Sequence, residues 1–181
     1  MTSGKSLSGV VQALNNLCRQ GVVVKIRHGL WGETLTGRLN VYDIVPYLTP
    51  GHRAYVSFLS ALHLYGIIGQ IPRVITVAST AHTRQVKTAL ATYSVHQIAR
   101  PFFRGFDWDA KSRTYLIAEP EKALADCLYL SGYRKNQYAH FPELEFPRSF
   151  KIGRLKYWLS QIPNAKVRRH AETRMRALTI K

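Results

Sequence analysis

The chain has 181 residues, 46% of them hydrophobic, and carries 26 Lys+Arg against 10 Asp+Glu, a formal net charge of +16. That length suits one compact domain or a small module joined to a larger one, and the apolar content excludes wholesale disorder. No apolar run approaches the roughly 18 residues of a membrane span, and the N-terminus lacks a signal-peptide stretch, so a basic cytoplasmic protein without a membrane partner is expected.

Residues Leu7 to Cys18 follow a helical pattern, with Leu7, Val10, Val11, Leu14, Leu17 and Cys18 on one face. Ser8, Gln12, Asn15, Asn16 and Arg19 gather on the other, and Gly21 supplies a stop. The β-branched run from Val22 leads to His28-Gly29 and resumes at Leu30, so residues 22–32 read as a short basic hairpin. Residues 36–47 are ambiguous, and Pro46 with Pro50-Gly51 marks a connection and a boundary near residue 50. Ala54, Phe58, Ala61, Leu62 and Tyr65 stand at helical spacing, which predicts a helix over 54–66. Strands are predicted over 73–78, 92–98 and 113–118.

Pro120 suits the first turn of a helix whose apolar side is Ala123, Leu124, Cys127, Leu128 and Leu130. Residues 132–149, rich in Pro and aromatic side chains, read as an ordered excursion. Two more helices are predicted, over 151–161 and 165–178. The second has Val167, Ala171, Met175 and Leu178 inward and Arg168, Arg169 and Arg176 opposite. Glu172 is placed to bridge Arg168 and Arg176 at i±4.

The charge is unevenly spread. Residues 148–181 hold 10 basic side chains against 1 acidic, whereas residues 101–147 hold 6 against 7. Such asymmetry points to a binding surface at the C-terminal end, carried by Arg154, Lys156, Arg168, Arg169 and Arg176. A solvated, solubilising tail is the plainer reading of the same residues.

Catalytic constellations are sparse. Phosphate-cradling glycine motifs are missing, and the histidines are scattered without metal-ligand spacing; His63 reads as a surface or core residue. Cys18 and Cys127 give neither a disulfide framework nor a zinc spacing. Asp107, Asp109 and Lys111 form the acid-x-Lys element of some magnesium-dependent nucleases, but residues 44–106 contain no acid to complete it. A polar turn explains the run equally well. Glu119 and Glu121, flanking Pro120, read as helix-capping residues. No enzyme activity, cofactor or metal is expected.

The helix with Ser8, Gln12, Asn15, Asn16 and Arg19 on its polar face has the groups to read base edges in a major groove. Lys25, Arg27 and His28 on the hairpin could lie along phosphates. Helix and basic hairpin are the latter half of a winged helix-turn-helix; on spacing alone, a helix–hairpin motif packed on the main domain is an equal reading.

At this point three blocks resemble the AbiEi-type antitoxins of bacterial abortive-infection toxin–antitoxin systems. They are Leu14–Trp31, Ala54–Ile67 with Ile75–Ala78, and Ile117–Asp126; with Thr83-Arg84 they fall in order over residues 7–131. The resemblance implies a mixed α/β chain of the α+β class. Residues 1–50 would form a truncated winged-helix-like unit, and residues 51–181 an antitoxin domain with basic C-terminal helices. It also implies two functions, binding operator DNA and neutralising a neighbouring nucleotidyltransferase-like toxin. Members of that family carry two further helices before the recognition helix, whereas six residues precede Leu7 here. The apolar face of 7–18 is therefore expected to be covered by the core domain or by a second chain, or else DNA binding is degraded.

Overall fold

Helix α1 (Leu7–Arg19) ends in a hydrogen-bond pattern that only a left-handed residue permits. Gly21, at φ +73°, places its own N–H on the Cys18 carbonyl and the Val22 N–H on the Leu17 carbonyl. The chain turns directly into β1 (Val23–Arg27), which pairs antiparallel with β2 (Leu30–Glu33). Gly29 takes the positive φ of their turn, and the register shifts between Lys25 and Arg27. The computed structural model describes residues 7–34, 39–133, 138 and 140–179. Of the ambiguous segment 36–47, residues 36–38 lie outside that set; Val41–Tyr47 forms a 3-10 helix capped by the Asn40 side chain.

A six-stranded sheet organises the rest. Its elements are β3 (Ala54–Val56), β4 (Ile75–Ser79), β5 (Arg84–Lys87), β6 (Thr92–Gln97), β7 (Phe106–Trp108) and β8 (Leu116–Ala118). They lie in the order β5-β6-β4-β3-β8-β7, with β4 parallel to β6, β3 parallel to β8, and the remaining pairs antiparallel. On one face lie α2 (Phe58–Leu64) and the central helix α3 (Pro120–Tyr133), which in turn packs against α4 (Ile152–Ser160) and α5 (Ala165–Thr179). On the other, the Tyr93 hydroxyl donates to the Val41 carbonyl and the Tyr42 ring meets Tyr115. The hairpin docks there too, since Ile26 is buried in the common core and its carbonyl accepts from Ala89 N–H. The chain is thus a mixed α/β fold, as expected.

Several local expectations need correction. The helix predicted over 54–66 begins only at Phe58, because Ala54–Val56 is fully buried and satisfies its backbone by pairing with β4 and β8. Pairing across the sheet overrides the helical spacing of its apolar residues. The predicted strand over 113–118 shrinks to Leu116–Ala118, since Arg113 sits at φ +53° in a turn. Strands β5 and β7 lie outside the predicted strands: both are short edge strands with largely exposed side chains. Helix α3 is not one-sided, because every residue from Glu121 to Ser131 is buried. Glu172 makes no ion pair with Arg168 or Arg176; the ion pairs among the described residues are Lys122–Asp126 and Arg154–Glu119.

Helix α5 follows its expected pattern, with Val167, Ala171 and Met175 buried. Asn164 caps it, accepting from the Lys166 and Val167 N–H groups at 2.9 and 3.1 Å. Gly132 lets α5 approach α3: a Cβ there would lie 2.8 Å from Val167 Cγ1 and 3.3 Å from its backbone.

Candidate functional site

The residues expected to read DNA lie together at one end of the chain. Ser8, Gln12, Asn15, Asn16 and Arg19 are all exposed on α1. The turn at Gly21 carries the helix straight into the hairpin, and the Thr34 hydroxyl donates back to the Gly21 carbonyl, tying the hairpin's end to the helix. Lys25 is exposed with its ammonium 5.5 Å from the Trp31 ring centroid, Arg27 is half-buried, and His28 is exposed at the tip. The main domain does not bury the opposite side of α1. Val10 and Val11 are 44% and 45% exposed and Leu17 is 37% exposed, which removes the core domain as the cover for that face.

The basic C-terminal helices are less free than their sequence suggests. Arg154 is committed through Nε and Nη2 to the two Glu119 oxygens at 2.9 and 2.8 Å, and its guanidinium lies over the Trp158 ring. Arg168 leans on the Ser160 and Ile162 carbonyls at the end of α4. That is where a cation best complements a helix's negative end. Lys156, Arg169 and Arg176 point to solvent, as does Lys166.

The block Ile117–Asp126 works from the inside. Lys122 and Asp126, one turn apart on α3, form an ion pair with both side chains fully buried. Asp126 Oδ2 also accepts from Ser57 Oγ at 2.7 Å and Tyr55 Oη at 3.0 Å, and the Lys122 ammonium donates to Tyr55 Oη at 3.1 Å. Phe102 closes over that ammonium at 3.9 Å, with Tyr55 and Trp158 beside it. Burial pushes the Asp126 carboxyl above its usual range while Lys122 and the two hydroxyls oppose the shift. Burial likewise pushes Lys122 down against the pull of Asp126. Desolvating two ions costs several kcal/mol each, and such a pair persists only with its hydrogen bonds complete. Among the described residues no buried side-chain N or O lacks a partner.

Glu119 and Glu121 do not act mainly as caps. Glu119 holds Arg154 and accepts from the Trp158 indole N–H at 3.2 Å, and Glu121 accepts from Lys151 N–H at 2.7 Å, so both tie the start of α3 to α4. With no solvent access to Lys122 or Asp126, the cluster joins β3, α3 and α4 rather than meeting a reactant. No protein-family model and no curated protein matches the chain. Sequence reasoning missed Tyr55, Ser57, Phe102 and Trp158 as partners of this cluster; a helix carrying a lysine and an aspartate amid an apolar run was the available signal.

Asp109 resolves into a turn. Its Oδ2 accepts from Lys111 N–H, Ser112 N–H and Ser112 Oγ at 3.1, 2.8 and 3.0 Å. Partial desolvation raises its pKa, but these hydrogen bonds outweigh it and hold the carboxyl below the ordinary value. Asp107 accepts from Trp108 N–H on the exposed edge strand β7. His63 is half-buried, with Nδ1 3.3 Å from the Ile68 carbonyl. Among the described residues, no helix is long and apolar enough to cross a membrane.

Proposed function

We propose that the chain is an AbiEi-type antitoxin that represses its own operon through α1 and the hairpin and neutralises a nucleotidyltransferase-like toxin. The carrying observation is the exposed polar face of α1, joined without a linker to a hairpin bearing Lys25, Arg27 and His28. In such a unit, Ser8, Gln12, Asn15, Asn16 and Arg19 meet base edges, and the hairpin meets phosphates. Lys156, Arg169 and Arg176 are a second exposed basic group, on α4 and α5 rather than beside the hairpin, with Arg154 and Arg168 on the same two helices. A mobility-shift assay on the chain's own promoter tests this. The Gln12→Ala/Asn15→Ala variant should lose preference for that promoter over random DNA, each base interaction removed costing about 1–3 kcal/mol. Equal retardation of both DNAs by the unaltered protein would overturn the repressor role.

A second reading keeps the antitoxin role without DNA recognition. The uncovered Val10, Val11 and Leu17 favour it, because a recognition helix is ordinarily fixed by burying that face. Rescue of cells from the neighbouring toxin, without any promoter shift at low salt, would select this reading. Failure to rescue would remove both.

A further inference from the structure

Strands β4 and β6 run parallel and end side by side, Ser79 beside Gln97, and the Ile98 N–H extends the pairing onto the Ser79 carbonyl at 2.8 Å. Beyond those carboxyl ends lies a cleft of about 560 Å³, a volume typical of small-molecule sites. The crevice outside the carboxyl ends of neighbouring parallel strands is where open α/β sheets bind ligands.

Its polar rim is one guanidinium, Arg100, and two imidazoles, His52 and His82. His52 is fixed by a turn in which its N–H donates to the Thr49 carbonyl and its carbonyl accepts from Thr49 Oγ1; its Nδ1 lies 2.9 Å from Thr80 Oγ1. His82 and Arg100 complete that rim and are exposed. Gln97 braces the floor, donating from its N–H to Thr83 Oγ1 at 3.0 Å and from Nε2 to the Thr80 carbonyl at 3.3 Å. Among the described residues no carboxylate lines the cleft, and the stretch from residue 44 to 106 that supplies most of it contains none. The remaining wall is aromatic: Tyr133 is 53% exposed, with its ring set edge-on against the buried Tyr129 at 5.1 Å. The Tyr129 hydroxyl is itself anchored by the Ala99 N–H at 3.3 Å.

A rim of one guanidinium and two imidazoles, free of carboxylates among the described residues and lining the same cleft as an exposed aromatic ring, matches a ligand with an anionic end and a flat ring. We infer that this cleft binds a nucleoside monophosphate, its phosphate against Arg100, His52 and His82 and its base on Tyr133. The assignment rests on the end of the sheet and stands apart from the antitoxin reading.

Calorimetric titration of the full chain with AMP, adenosine, ribose 5-phosphate and inorganic phosphate tests it. AMP should bind more tightly than any of the other three. Arg100→Gln should weaken AMP and ribose 5-phosphate about tenfold, the effect of removing one charge-assisted hydrogen bond, and leave adenosine unchanged. Tyr133→Ala should weaken AMP and adenosine and leave phosphate unchanged. Arg100 is exposed and Tyr133 is half in solvent with its ring against Tyr129, so a melting temperature measured on each variant separates lost binding from lost folding. Arg73→Gln, exposed at the opposite end of β4, should change nothing if binding is local rather than a general response to positive charge. Equal AMP affinity in the unaltered chain, Arg100→Gln and Tyr133→Ala would overturn the inference. So would the absence of AMP binding, or weakening by Arg73→Gln as large as by Arg100→Gln. Binding of an acidic peptide but not AMP would assign the cleft to a protein partner instead.

Discussion

Lys122 and Asp126 form a fully buried ion pair within one turn of α3, and Tyr55 Oη on β3 contacts both ends of it. Two residues of one helix thereby fix the strand beside it. The losses from removing each member should therefore not add. Lys122→Met alone is expected to cost about 3–5 kcal/mol, whereas Lys122→Met with Asp126→Leu should cost less than the sum of the two single losses. The double variant removes the unpaired charge but leaves the buried Ser57 and Tyr55 hydroxyls without a partner. Urea denaturation of the two single variants and the double variant checks the sum. Additive losses would show that the charges are not coupled.

Glu119 gives the same region an acid dependence. Hydrogen bonding from Arg154, aided by the Trp158 indole, holds its carboxyl below the ordinary value of 4.5, with desolvation opposing. A depressed folded-state pKa adds stability that is present above the unfolded value and lost as pH falls through the folded one. The melting-temperature gap between the unaltered chain and Glu119→Gln should therefore hold steady from about pH 7 to about pH 5 and close below about pH 4.5. A gap unchanged into acid would mean the carboxylate charge contributes nothing.

Gly105 adopts φ +79° beneath Trp158, and a Cβ there would lie 2.5 Å from Trp158 Cζ2. Gly105→Ala combines backbone strain with a clash against a buried ring, so a loss of about 2 kcal/mol or more is expected. Near-ultraviolet circular dichroism should also report a disturbed tryptophan.

Phe58 opens α2 at φ +56° while fully buried, its ring edge-on to His96 at 5.0 Å. The left-handed conformation costs a non-glycine residue roughly 1–3 kcal/mol, so the usual rank of small substitutions should invert. Phe58→Ala and Phe58→Gly both lose the packed ring, but Gly should be the less destabilising by about 1 kcal/mol. Chemical denaturation of the pair decides it; the ordinary rank would mean the conformation relaxes on truncation.

The two exposed basic regions separate by salt dependence. If both meet DNA, Lys25→Ala/Arg27→Ala and Arg169→Ala/Arg176→Ala should each flatten the slope of log affinity against log salt by about 0.9 for every phosphate no longer neutralised. An unchanged slope for the second pair would assign α5 to a protein partner.

What the sequence determined was mostly local. The two faces of α1, the stop at Gly21, the hairpin, and the starts of α3 and α5 follow from periodicity and terminal residues, because their hydrogen bonds close within a few positions. Tertiary structure decided whatever depends on distant partners. Ala54–Val56 became strand because β4 and β8 lie beside it, and β5 and β7 formed on edges as runs of four and three residues, too short for periodicity to reveal. The same dependence recast the charges. Arg154 and Arg168 looked like free surface cations until α4 placed one on Glu119 and the other on its terminal carbonyls. Asp126 finds a partner in Ser57, 69 positions earlier, whose hydroxyl reaches its carboxylate. Sequence spacing records which face a side chain occupies; only the folded chain brings up the partner that commits a charge or leaves it free to bind.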